Sequence, residues 1–112
     1  MKLKQFQRYL IKENIDLSYL NNNDSNFTYF TQIKPSKAIM TISPDKAELY
    51  LSNLDFKSKI KNFNINDLEK DWNKQIKNNK TSRIGINKEK LSLLEFEKLK
   101  KIFPKSNFVD VS

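Results

Sequence analysis

Residues 26–52 read NFTYFTQIKPSKAIMTISPDKAELYLS, and this stretch decides how the rest of the chain is organised. Ala38–Ile42 (AIMTI) is an apolar run interrupted only by Thr41, the pattern of a central strand covered on both faces. Pro44 follows with its φ fixed where a type I turn needs it, and Asp45 comes next. Ala47, Leu49 and Leu51 then alternate with Glu48, Tyr50 and Ser52, which predicts a returning strand, half exposed. The two runs make an antiparallel hairpin. Just before it, Phe27, Tyr29 and Phe30 suit a helix of one or two turns capped by Ser25 or Asn26.

Upstream of that stretch, residues 2–14 place Leu3, Phe6 and Leu10 at helical spacing among lysines, an amphipathic helix with one stripe for a core. Asn14 tolerates the left-handed backbone that commonly ends helices. Residues 15–20 (IDLSYL) alternate, Ile15, Leu17 and Tyr19 against Asp16, Ser18 and Leu20, and read as a strand. Residues 21–26 are all polar and predict a loop.

Downstream, Leu54, Phe56 and Ile60 mark a short helix, and residues 63–65 a short strand. Asn66 with Glu69 resembles a helix-opening cap for the stripe Leu68, Trp72 and Ile76, in which Trp72 reads as a core anchor. After a polar loop at 78–82, residues 83–86 (RIGI) form a strand whose Gly85 lets a neighbouring element come close. Ser92 and Glu95 make a capping box, with Leu91 and Phe96 as its hydrophobic staple. Leu93, Phe96, Leu99 and Phe103 form that helix's buried stripe, and Pro104 ends it. Residues 107–111 (NFVDV) close as a strand. Helices alternating with strands around one antiparallel hairpin predict an α/β domain with a mixed sheet.

At 112 residues the chain has room for one domain with a real core. It has no cysteine and no histidine, which removes disulfides, thiolate metal sites, the commonest metal ligand and the commonest general base. Gly85 is the sole glycine, so a Gly-rich phosphate loop cannot be built. Asp67, Glu69 and Asp71 are explained by the first turns of a helix, where negative charge is favoured. Glu95 belongs to its cap, and Asp16, Asp24, Asp45 and Asp55 are scattered. No set of residues reads as catalytic or metal-binding, and the chain on its own is expected to be inactive.

The formal charge of +8 is carried almost wholly by lysine, with Arg8 and Arg83 the only arginines. The lysines alternate with Asn, Asp and Glu, as on a solvated surface, whereas base readers favour Arg beside aromatic platforms. A free-standing basic module for nucleic acid or an acidic protein is therefore the alternative reading, not the leading one. No segment is long and apolar enough for a signal peptide or a membrane span, which predicts a soluble cytoplasmic protein.

In this order the elements resemble the N-terminal domain of the creatinase, prolidase and aminopeptidase P family, the pita-bread metallopeptidases. The opening helix KLKQFQRYLIKEN is similar to that family's Arg-bearing first helix. Asn26-Phe27-Thr28-Tyr29-Phe30-Thr31-Gln32-Ile33 resembles the family's Asn-hydrophobic-x-Tyr-Leu-Thr-Gly-Phe, and AIMTISPDKAELYLS its following two strands. Ile84-Gly85-Ile86, Leu91-Ser92, Leu99-Lys100-Lys101-Ile102-Phe103-Pro104 and Val109-Asp110-Val111-Ser112 complete the likeness over essentially the whole chain. The family's glycine is Gln32 here, a departure that bears on the geometry of the loop. The segment after the second strand is reduced to Asn53-Leu54-Asp55-Phe56.

The resemblance implies a three-layer α/β/α fold with a mixed, ribonuclease-H-like sheet of about five or six strands, spanning residues 1–112 as a single domain. It implies that catalysis, with two divalent metal ions, belongs to a C-terminal domain absent from this chain. The parent would be a metal-dependent Xaa-Pro dipeptidase or aminopeptidase. The domain's partners would be that catalytic domain and a second subunit in a homodimer, with the N-terminal domain restricting access to the active site. The positions matching the loop that reaches substrate in some members are Tyr29, Thr31, Gln32 and Lys34.

Overall fold

The computed structural model describes residues 2–33, 35, 37–52, 63–77 and 82–111. Its elements run α1 (Lys2–Lys12), β1 (Leu17–Asn21), α2 (Ser25–Thr31), β2 (Ala38–Ile42), β3 (Ala47–Leu51), β4 (Asn64–Asp67), α3 (Leu68–Lys77), β5 (Arg83–Ile86), α4 (Leu93–Ile102) and β6 (Asn107–Asp110). The short helix expected around Leu54, Phe56 and Ile60 lies outside the described residues.

The strands form one six-stranded sheet in the order β4-β3-β2-β1-β5-β6. The expected hairpin lies within it, one strand in from the β4 edge: β2 pairs antiparallel with β3 from Ala38↔Leu51 to Ile42↔Ala47. The connection is closed by the Ser43 N–H donating to the Lys46 carbonyl at 2.9 Å. β1 adds to β2 antiparallel, and β5 adds to the other edge of β1 in parallel. β5 and β6 are parallel neighbours joined through α4, the crossover that a parallel pair requires. β4 pairs in parallel with β3. The result is the mixed, ribonuclease-H-like sheet, an antiparallel β3-β2-β1 unit extended by parallel strands.

Both faces of this sheet are covered, which makes three layers. On one face Leu3 and Leu10 of α1 and Phe27 of α2 meet Leu20, Met40, Ile42, Leu49 and Leu51. On the other, Leu99 of α4 and Phe103 just beyond it pack with Leu17, Tyr19, Ile84 and Ile86, and Trp72 of α3 packs against them. The alternation in β1 thus sorts side chains between two covered faces, and all five of its residues are buried. β3 departs from the half-exposed strand expected of it. Tyr50 is only 2% exposed, because α3 brings Trp72 onto it edge-on at 5.1 Å between ring centroids.

Several caps also differ from expectation. The α2 cap is Asp24, one residue before Ser25 and two before Asn26, and its Oδ1 accepts the Asn26 N–H at 2.9 Å. Asn66 remains in β4, held by its pairing with Tyr50, so Asp67 caps α3 instead. The Asp67 Oδ1 accepts the Glu69 N–H at 3.0 Å, and Asp71 takes the Asp67 N–H at 2.8 Å. Ser92 does cap α4, accepting the Glu95 N–H at 3.1 Å. Leu93, expected in the buried stripe, is 73% exposed. Leu99 and Phe103 fix the inward direction of α4, and at 3.6 residues per turn the three-residue steps back to Leu93 drift out of it. Gly85 behaves as expected: a Cβ there would lie 3.1 Å from a Val111 methyl and 3.4 Å from one of Ile15.

Candidate functional site

The loop indicated by the sequence begins where α2 ends. Tyr29 is 50% exposed, its ring tilted against Phe30, which in turn meets Phe6 of α1; both centroid distances are 5.8 Å. Phe6 stacks on Tyr9 at 6.1 Å, so an aromatic row links α1 and α2, with Tyr9 and Tyr29 exposed at its ends and Phe6 and Phe30 half-buried against the core. Thr31 points the other way. It is buried, donates its hydroxyl to the Phe27 carbonyl at 2.8 Å and accepts the Ile33 N–H at 3.3 Å, which makes it a helix-end fastener. Gln32 takes the left-handed conformation (φ 62, ψ 20) and returns its N–H to the Thr28 carbonyl. Its side-chain amide donates to the Tyr29 carbonyl at 3.0 Å. The bend expected of a glycine is therefore made by glutamine. Of the four candidate residues, Tyr29 and Gln32 share an exposed surface, Thr31 is structural, and Lys34 lies outside the described residues.

A second constellation sits on the opposite face of the sheet, and sequence reasoning missed it. At the C-terminal end of β1, Tyr19 and Asn21 are two residues apart and so project to the same side. The Tyr19 hydroxyl donates to one Glu95 carboxylate oxygen at 2.6 Å, and the Asn21 amide donates to the other at 2.9 Å. The Asn21 amide also reaches the Lys90 carbonyl at 3.4 Å, while its oxygen accepts the Asn23 N–H at 3.0 Å. The Glu95 carboxylate, expected to close its own helix cap, is thus committed to β1. Only the i, i+2 spacing of Tyr19 and Asn21 signals this; the partner lies more than 70 positions away.

Burial, reinforced by the hydrogen bond to Glu95 and its charge, pushes the Tyr19 hydroxyl far above the usual tyrosine range. Tyr50 is pushed up by burial first and then by Glu48, partly offset by a hydrogen bond with Thr41. Both phenols remain protonated at any ordinary pH, so Tyr19 is a standing donor to Glu95.

Beside this cluster lies an open groove of about 360 Å³. Tyr19 and Ile39 of the sheet, Trp72 of α3 and Leu94, Lys98 and Ile102 of α4 line it, with Lys37 just before β2. Among the described residues no group of three or more Asp or Glu side chains is placed to hold a metal ion. Among them too, no helix is long and apolar enough to cross a membrane.

The family model described as Creatinase/Prolidase N-terminal domain matches residues 2–112. No curated protein matches the chain significantly. Among solved structures, a proline dipeptidase from Streptococcus pneumoniae TIGR4 superposes with a TM-score of 0.83 at 19% identity, covering 98% of this chain and 90% of that one. The prolidase from Pyrococcus horikoshii OT3 gives 0.82 at 23% identity, covering 98% of this chain but 32% of its own. The Creatinase/Prolidase N-terminal domain of an X-Pro dipeptidase from Streptococcus pyogenes gives 0.74 at 17% identity, with 98% and 92% covered. This chain therefore spans nearly all of the streptococcal structures and about a third of the archaeal enzyme. With the six-stranded mixed sheet and its two helical layers in the same arrangement, the chain belongs to the creatinase/prolidase N-terminal domain family.

Proposed function

We propose that this chain is the non-catalytic N-terminal domain of a proline-specific (Xaa-Pro) dipeptidase or aminopeptidase acting in the cytoplasm. In this reading it contributes to dimer assembly and limits access to an active site built by a separate C-terminal domain. The observation that carries it is the family match along residues 2–112, on a fold that makes up about a third of a prolidase chain. The absence of His and Cys supports it from the other side, since the chain has neither the usual general base nor the usual metal ligand. Two divalent metal ions would be held by the catalytic domain and supply an activated water there. This chain's own part is shape: the exposed Tyr29 and Gln32 at the end of α2, with Thr31 fixing the turn and Lys34 following in sequence, form the candidate access or interface loop. The exposed rings of Tyr29 and Tyr9, backed by the half-buried Phe30 and Phe6, are the kind of side chain that interfaces favour.

The test is to compare the whole gene product with the same protein lacking residues 1–112. The reading expects a metallopeptidase domain encoded downstream. It expects Xaa-Pro hydrolysis by the whole protein, and loss of the dimer with acceptance of longer peptides after the deletion. A reading frame with no such domain would remove its main support. The basic-module alternative gains nothing from the fold.

A further inference from the structure

We propose that the groove between α3 and α4 is a binding site for a small apolar carboxylate, held by Lys37 and Lys98 with its apolar body against Trp72. The proposal stands on the groove alone and is independent of the peptidase reading. Its volume, about 360 Å³, falls at the small end of the roughly 300–1,000 Å³ typical of ligand pockets. Its lining is mainly apolar, and two of its large side chains are left open to water: Leu94 is 64% exposed and Ile102 is 37% exposed. They stand with Lys98 at positions i, i+4 and i+8 of α4, one continuous ridge. Apolar surface in a concave site with a few charged groups calls for an occupant with an apolar body.

The charges decide the sign of that occupant. Among the described residues lining the groove there is one carboxylate, Glu95, and both of its oxygens already receive a hydrogen bond, from Tyr19 and from Asn21. Tyr19 and Asn21 are 5% and 6% exposed, so this arrangement is built into the core of the sheet. The two lysines on the lining are unspent: no hydrogen bond or ion pair joins Lys37 or Lys98 to another described residue. A cation would meet two free ammonium groups and a carboxylate whose donors are already in place. An anion meets two unpaired cations against the single charge of Glu95, so the described lining is net positive, at the strength expected of solvent-exposed lysines. Trp72, packed edge-on to Tyr50 and tilted at 5.9 Å to Tyr19, is fixed from behind and presents a rigid surface to the apolar part.

Trp72 is the only tryptophan in the chain, so its emission reports the groove without a label. The chain is titrated with 4-methylpentanoate, with its neutral amide, with acetate, and with a tripeptide acid ending in leucine. Amide chemical shifts of residues 37–39 and 94–102 give a second readout. The expected result is saturable binding of 4-methylpentanoate, at least tenfold weaker for its amide and for acetate. A Lys37→Gln/Lys98→Gln variant, altered only on exposed side chains, should also bind it at least tenfold more weakly. Tighter binding of the tripeptide would identify the source as a peptide C-terminus, and equal or weaker binding as a free acid; both uphold the site. Binding of the amide as tight as that of the acid, unchanged affinity in the double variant, or no saturable change in either readout would overturn it.

Discussion

The two faces of the sheet are covered by helices of equal standing, yet they are built differently. The α1/α2 face is almost wholly apolar, with Leu10, Phe27, Met40, Ile42, Leu49 and Leu51 essentially without solvent exposure and the small Ser18 the polar side chain that β1 turns into it. The α3/α4 face is mixed. It buries Tyr19, Asn21, Thr41 and Tyr50, ties the first two to Glu95, and leaves a groove open beside Trp72. The first face follows chiefly from hydrophobic area, at roughly 25 cal/mol per Å² removed from water. The second depends on polar groups that are favourable only when every partner is present.

The largest expected effect breaks the apolar face. Phe27→Ala removes a ring with 0% exposure and should cost about 3–5 kcal/mol in urea denaturation, as large-to-small core changes do. Trp72→Ala on the other face, where the side chain is partly exposed, should fall at or below the low end of that range, about 3 kcal/mol. If the Trp72 change costs more than the Phe27 change, the ranking of the two faces is wrong.

Next comes the polar cluster. Glu95→Ala strands two buried donors, and about 2–3 kcal/mol should be lost, because an unmet buried polar group costs about 1–3 kcal/mol. Tyr19→Phe alone should cost less, and in the Glu95→Ala background almost nothing. A double-mutant cycle with no coupling between Tyr19 and Glu95 would show that the hydrogen bond contributes no stability.

Alkaline pH probes the same face. Tyr19 and Tyr50 hold their protons in the folded state well above the unfolded value, which is about 10. Above that pH the unfolded chain loses protons that the folded one keeps, so their contribution, complete below about pH 10, declines as pH rises further. Each phenol should take away about 1.4 kcal/mol per pH unit. Tyr19→Phe should flatten the decline between pH 10 and 11, and an unchanged slope would mean that Tyr19 titrates freely.

The smallest effect, and of opposite sign, is at Gln32. A non-glycine residue in the left-handed region costs about 1–2 kcal/mol, so Gln32→Gly should stabilise by up to about 1 kcal/mol after losing the side-chain bond to the Tyr29 carbonyl. A loss of stability would mean that this bond outweighs the backbone strain.

These contrasts also explain what the sequence made legible. The β2–β3 hairpin, the α1 stripe of Leu3, Phe6 and Leu10, the left-handed Asn14 and the Ser92 cap are local patterns, and each is found in place. Tyr50 looked half exposed because nothing in Ala47–Leu51 announces that α3 will cover it. Glu95 looked like a capping residue because its partners, Tyr19 and Asn21, are remote in sequence and joined to it only by the sheet order. Long-range polar pairing leaves no periodic trace. The loop at Tyr29, Thr31 and Gln32 was legible as a motif, but its division into exposed and structural residues depends on the helix end that Thr31 fastens.

The central proposal, that this chain serves catalysis without performing it, is tested most directly by assaying Xaa-Pro dipeptide hydrolysis with added Mn²⁺. The isolated 112-residue chain and the whole gene product are compared side by side. The account predicts turnover by the whole protein and none by the chain. Metal-dependent turnover by the purified chain alone would contradict it.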